Sequence, residues 1–126
     1  MKRVTGIGGI FFKANDPDKV RNWYRAHLGI GCEKENGAIF KWRKADDPNS
    51  EQYTVWTPFP ADTDYFAPSK KAFMINFQVE NLDEVLAKLK REGIDADPKV
   101  ESCEYGKFGW IMDPEGNRIE LWEPKV

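Results

Sequence analysis

Two stretches of the chain, 65 residues apart, repeat one order of residues. Ile10-Phe11-Phe12-Lys13-Ala14-Asn15-Asp16-Pro17-Asp18-Lys19-Val20 reads as a strand, a helix cap and a helix. Ile75-Asn76-Phe77-Gln78-Val79-Glu80-Asn81-Leu82-Asp83-Glu84-Val85 repeats that order, Asp16 answering Asn81 and Val20 answering Val85. The ends correspond as well: Tyr53-Thr54-Val55-Trp56-Thr57-Pro58 aligns with Ile119-Glu120-Leu121-Trp122-Glu123-Pro124, at an offset of 66. A repeat of this length means two copies of one supersecondary unit, neither of which can bury its sheet alone. A site built where the copies meet draws on equivalent positions of both.

Each copy predicts β-α-β-β-β. The first strand covers about Thr5 to Ala14. Asn15 or Asp16 caps the helix that follows, with Pro17 at its first position, where the missing N–H costs nothing. Val20, Trp23, Tyr24, His27 and Leu28 form one apolar stripe, which places Trp23 in the core, and Gly29 ends the helix. In the second copy Asn81 caps, Glu84 completes a capping box, Leu82, Val85, Leu86 and Leu89 form the stripe, and Gly93 stops it. The remaining strands are expected at about Gly31–Lys34, Ala38–Arg43 and Tyr53–Thr57, the last two separated by the polar run Lys44–Glu51. In the second copy they fall at about Ala96–Val100, Phe108–Met112 and Arg118–Glu123, with Asp113-Pro114-Glu115-Gly116-Asn117 as a turn. The 126 residues are expected to form one α+β domain: a first module over about 4–58, a connecting flap over 59–71 and a second module over about 72–126. The flap carries Phe59, Tyr65 and Phe66, aromatics that suit a lid or packed segment better than a plain linker.

Charge excludes some functions. With 19 Lys+Arg against 21 Asp+Glu the net charge is −2, which offers no electrostatic footprint for nucleic acid or an anionic membrane. No apolar run approaches the length of a spanning helix, and the first residues lead into a strand rather than a signal-peptide core, so a cytoplasmic location is expected. Cys32 and Cys103 lack metal-site spacing and read as reduced thiols. His27, the single histidine, argues against a multi-histidine metal centre and suits a packed position on its helix.

Strand alternation sorts the side chains. Gly8, Ile10, Phe12, Ala14, Val55, Ile75, Phe77, Val79, Ile119 and Leu121 are expected on the helix side. The opposite face then collects Phe11, Lys13, Thr54, Trp56, Asn76, Gln78, Arg118, Glu120 and Trp122. Met74 joins it as lining, and Trp42 and Trp110 extend it as parts of an aromatic box. A mixture of polar groups and Trp on a concave face is what a small-molecule pocket looks like. Glu120 is the candidate reactive carboxylate; pairing with Arg118 or Lys13 is the alternative for it.

Asn15-Asp16-Pro17 with Trp23-Tyr24 and His27-Leu28-Gly29, then Phe77-Gln78-Val79-Glu80-Asn81-Leu82-Asp83, then Asp113-Pro114-Glu115-Gly116-Asn117-Arg118-Ile119-Glu120-Leu121 together resemble the vicinal-oxygen-chelate superfamily. It includes glyoxalase I, extradiol dioxygenases, fosfomycin-resistance transferases and bleomycin-resistance proteins. The resemblance covers nearly the whole chain. It implies paired βαβββ modules curling into a cup, a homodimer, and a ligand site inside the cup. Metal-using members place four ligands on that cup, and carried over these positions are Gly9, Thr54, Met74 and Glu120. Only Glu120 is a ligand for a hard divalent ion, because glycine has no side chain, a lone hydroxyl is a poor donor and a thioether suits Cu(I). No cofactor is therefore expected, and a divalent metal is disfavoured.

The leading expectation is a metal-free homodimer that holds an organic ligand, planar or cationic, in an aromatic cup, for sequestration or resistance. The alternatives are a metal-dependent lyase or isomerase of the lactoylglutathione-lyase kind, or a dioxygenase, with Glu120 as base or ligand, and a non-catalytic structural or regulatory module.

Overall fold

The computed structural model describes residues 3–31 and 37–125. In chain order the elements are β1 (Val4–Ala14), α1 (Pro17–Leu28), β2 (Ala38–Lys44), β3 (Asp47–Pro60), β4 (Phe73–Val79), α2 (Leu82–Arg91), β5 (Glu101–Cys103), β6 (Gly106–Met112) and β7 (Arg118–Pro124). All the strands join one sheet in the order β2-β3-β1-β4-β7-β6-β5. At its centre β1 and β4 run antiparallel, and each has a parallel partner from its own copy, β3 for β1 and β7 for β4. The sheet is α+β, mixed and curled, with two repeated halves meeting at the β1–β4 seam.

Local chemistry sets both helix starts. Asp16 accepts from the Lys19 N–H at 3.1 Å and Asn81 from the Glu84 N–H at 3.1 Å, each satisfying an orphan donor of the first turn. Gly29 adopts a left-handed conformation (φ 68°), which closes α1 at little steric cost.

The helices then diverge. α2 buries Leu82 and Val85 against Val79 and Leu121, with Phe77, Leu86, Leu89, Ile111 and Ile119 packed around them. α1 buries no residue. Its half-covered positions are Pro17, Val20, Arg21 and Tyr24, a face rotated away from the stripe expected through Trp23, His27 and Leu28. Trp23 is accordingly exposed rather than core, resting edge-on against Tyr24 and tilted against His27. Tyr24 provides the aromatic contact to the sheet, its ring 4.7 Å from Trp56.

Several strand boundaries differ from expectation. The polar run Lys44–Glu51 is not a separator: β2 and β3 meet in a tight hairpin whose register shifts beside Lys44, and Pro48 sits where only β2 pairs with β3. No strand forms over Ala96–Val100. Pro98 lacks an N–H, Asp97 turns back to accept from the Lys99 N–H, and only an isolated bridge from Ala96 to Ile111 remains before the short β5. Of the strand expected at Gly31–Lys34, Gly31 is not extended into a strand and the rest lies outside the described residues, as does Cys32. Cys103 is a free, exposed thiol.

Candidate functional site: a carboxylate at the base of an aromatic cup

The concave side of the sheet holds a cavity of about 420 Å³. From the second copy it takes Asn76, Phe108, Glu120 and Trp122; from the first, Gly8, Phe11, Ile39, Tyr53, Val55, Thr57 and Phe59. Tyr65 reaches in from the segment between β3 and β4, and Tyr105 completes the wall. Beneath lies a buried apolar cluster of Phe66, Met74 and Trp110, against which Phe11, Phe59 and Phe108 pack.

Glu120 is 2% exposed and Asn76 likewise. They are neighbours because β4 and β7 run parallel with Asn76 opposite Glu120. Asn76 Nδ2 donates to Glu120 Oε1 at 2.6 Å, Trp110 Nε1 donates to Oε2 at 2.9 Å, and the Tyr65 hydroxyl donates to the same Oε2. Three neutral donors thus hold the carboxylate; Arg118 and Lys13 make no hydrogen bond to it. Burial pushes the Glu120 carboxyl above its usual range, against the opposing pull of those hydrogen bonds and of the Arg118 charge. Burial also pushes the Tyr65 hydroxyl far up, helped by the Glu120 charge beside it. At neutral pH Tyr65 therefore keeps its proton and acts as the hydrogen-bond donor of the pair.

Arg118 pins the connecting segment. Its Nη1 donates to the carbonyls of Tyr65 and Ala67, its guanidinium lies 5.0 Å from the Trp110 ring, and Asp97 stands 3.6 Å from Nη2. Lys13 lies over Phe66 at 5.8 Å. Both cations hold the segment over the sheet and line no part of the cavity. Gln78 is buried behind the wall, donating to the Tyr53 carbonyl at 2.9 Å.

Of the cup residues expected from the second copy, Asn76, Glu120 and Trp122 line the cavity, Met74 and Trp110 lie in the cluster beneath it, and Gln78 and Arg118 stand outside it. The first copy requires a correction. Trp42, Thr54 and Trp56 face the helix side: Trp56 packs on Phe12 and Tyr24, while Trp42 Nε1 donates to Thr54 Oγ1 at 2.8 Å. Val55, expected on the helix side, lines the cup. The cause is register. Phe11 stands opposite Thr57 as Asn76 stands opposite Glu120, so the true counterpart of Glu120 is Thr57, three residues beyond Thr54. A shift by an odd number moves every side chain of a strand to the other face. Gly8 also turns to the cup, because the β1–β4 register slips between Ile7 and Gly9. Sequence reasoning missed Tyr53, Thr57, Phe59, Tyr65, Tyr105 and Phe108. The alternation Tyr53, Val55, Thr57, Phe59 was a signal available for the first three.

The residues at the metal positions do not fit a divalent ion. Gly9 offers no side chain, Thr54 points away and its replacement Thr57 brings only a hydroxyl, Met74 is packed against Phe66 and Trp110, and Glu120 is already held by three donors. Among the described residues no three His, Cys, Asp or Glu side chains come together as a metal-binding group.

A curled sheet of two repeated halves around a small internal cup is the frame that carries the site. The sequence pattern of the Glyoxalase/Bleomycin resistance protein/Dioxygenase superfamily matches residues 6–121, and the chain belongs to that superfamily. Its fold is similar to that of methylmalonyl-CoA epimerase from Mycobacterium tuberculosis, at 22% identity over 100% of this chain and 92% of that one, TM-score 0.64. A variant of Streptomyces coelicolor methylmalonyl-CoA epimerase in complex with 2-nitronate-propionyl-CoA is similar at 19% identity, over 94% and 96% of the two chains, TM-score 0.66. The Mn(II)-bound glyoxalase from Novosphingobium aromaticivorans matches at 22% identity over 97% of this chain but 40% of its own, TM-score 0.61. No curated protein sequence matches. No described helix is long and apolar enough to cross a membrane.

Proposed function

We propose that this protein binds a small, planar organic molecule, cations included, in its aromatic cup and does so without a divalent metal, in sequestration rather than turnover. The observation that carries this reading is the state of Glu120. A carboxylate that ligates a metal turns at least one oxygen to the ion, whereas here both oxygens accept from protein donors at the base of an apolar cavity. The carboxylate then acts through its charge, and Trp122 and Phe108 offer π faces to a flat or cationic group. A second reading is favoured by the raised pKa of Glu120: a carboxyl held above its usual range is suited to take a proton from a substrate, as a lyase or isomerase needs.

We further propose that the protein works as a symmetric homodimer. The outer side of the first copy leaves Ile10, Trp23, Leu28 and Phe40 exposed on α1, β1 and β2, and an apolar surface of this kind is self-complementary across a two-fold axis.

Titration of EDTA-treated protein with planar aromatic cations, followed by Trp fluorescence, tests the binding reading. Saturable quenching at one site per chain is expected. Binding that appears only when Mn²⁺ is restored would move the assignment to a metal-dependent enzyme.

A further inference from the structure

The concave face continues beyond the cup. Alternation carries it from Val55 to Tyr53 and Glu51 on β3, from Asn76 to Gln78 on β4, and from Trp122 to Pro124 on β7. The residues at the far end line a second cavity of about 550 Å³, and Tyr53 and Tyr105 line both cavities. The β1–β3 ladder starts only at Gly9 opposite Val55, and at Tyr53 the β3 carbonyl accepts from the Gln78 amide instead.

The boundary between the cavities is aromatic and carries hydroxyls. The Tyr53 ring stands edge-on to Trp122, 5.4 Å away, and Trp122 Nε1 donates to the Tyr105 carbonyl at 2.8 Å. Burial pushes the Tyr53 hydroxyl above its usual range, and the nearby Tyr105 hydroxyl adds to the effect. Neither hydroxyl has a hydrogen-bond partner among the described residues. Beyond them the lining is charged, with the carboxylates of Glu51, Glu80, Glu104 and Glu123 against the ammonium groups of Lys44 and Lys125. Lys44 pairs with Glu80 at 3.6 Å, Lys41 reaches Glu51 at 3.7 Å from outside the cavity, and Glu123 accepts from the Leu82 N–H at 2.8 Å. Glu104 makes no ion pair among the described residues.

We propose that the two cavities form one bipartite site, whose ligand joins a flat aromatic head in the cup to a short tail that passes Tyr53 and Tyr105 and ends in a protonated amine. The proposal rests on the cup being a ligand site and names the class of ligand. An ammonium group donates to phenol oxygens, lies favourably over ring faces and is attracted by the surplus of carboxylates, which repels an anionic tail.

The test uses 3-methylindole, tryptamine and indole-3-acetate, which share one head and differ in the tail. Each is titrated into the protein while the indole N–H resonances of its five Trp residues are followed by NMR. Tryptamine is expected to bind about tenfold more tightly than 3-methylindole, the joint effect of a charge-assisted hydrogen bond and a cation–π contact. Indole-3-acetate should bind more weakly than either. Glu104→Gln should narrow the advantage of tryptamine and leave the affinity for 3-methylindole where it was. Binding of 3-methylindole with tryptamine no tighter, or with indole-3-acetate the tightest of the three, would overturn the proposal while leaving the cup as a binding site. So would a Glu104→Gln variant that keeps the full preference for tryptamine. Failure of all three probes to shift any resonance would remove the binding reading itself, and the proposal with it.

Discussion

The two helices begin from equivalent places in the repeat and end in different roles. α2 buries Leu82 completely and Val85 to within 3%. α1 has the same kind of cap and the same glycine ending, yet buries nothing and leaves Trp23 at 53% and Leu28 at 60% exposure. Capping and periodicity say where a helix forms; they do not say which of its faces meets the sheet. In the second copy the apolar stripe and the inward face coincide. In the first they are offset, and the surplus apolar surface faces outward. The second copy thus carries the core and the site carboxylate, while the first supplies walls of the cup and an uncovered outer side.

This difference predicts unequal mutational costs. Leu82→Ala removes a fully buried side chain and should lower unfolding free energy by about 2–5 kcal/mol in urea denaturation. Trp23→Ala should cost the isolated chain less than about 0.5 kcal/mol, while Trp23→Asp should shift sedimentation at micromolar concentration from dimer to monomer. Comparable losses at Leu82 and Trp23 would erase the distinction between the copies.

A smaller effect separates the two aromatic faces. Trp122 lines the cup and Trp56 lies behind the sheet against Tyr24 and Phe12. Trp122→Leu should weaken binding of a planar cation by the cation–π increment of about 0.5–2 kcal/mol. Trp56→Leu should change stability and leave the dissociation constant where it was. Equal loss of affinity in both would return Trp56 to the site.

The smallest expected effect is on pH. Burial raises the Glu120 pKa in the folded protein above its ordinary 4.5. On raising the pH, the unfolded chain loses this proton first. The favourable contribution of the protonated form is therefore complete below 4.5 and is lost as pH rises through the folded value. The stability of the unaltered protein relative to Glu120→Gln should accordingly fall with rising pH over that window and then level off. A relative stability that rises over the same window would mean the folded-state pKa is depressed.

How much was legible in sequence follows the same division. In the second copy Asp113–Asn117 fixes the turn before β7, Asp113 accepting from the N–H groups of Glu115 and Asn117. Strand parity from Arg118 onward then follows, and Glu120 and Trp122 fall on the face that alternation assigns them. In the first copy the matching of Pro58 with Pro124 suggested an end-to-end equivalence that the backbone does not keep, and parity was lost with it. The slip in β1 beside Gly8, the rotation of α1, and Tyr65 reaching Glu120 are tertiary facts that leave no periodic trace. The aromatics of residues 59–71 gave the only hint of that segment's packing, and nothing local tied Tyr65 to a carboxylate fifty-five positions away.

The central claim is that the cup works through its own donors, acceptors and rings without a divalent ion. Elemental analysis of protein purified without chelator tests it most directly. The account predicts far less than one equivalent each of Mn, Fe, Co, Ni and Zn per chain, with ligand binding unchanged by EDTA. One equivalent of any of these metals, lost together with ligand binding when Glu120 is changed to Gln, would contradict it.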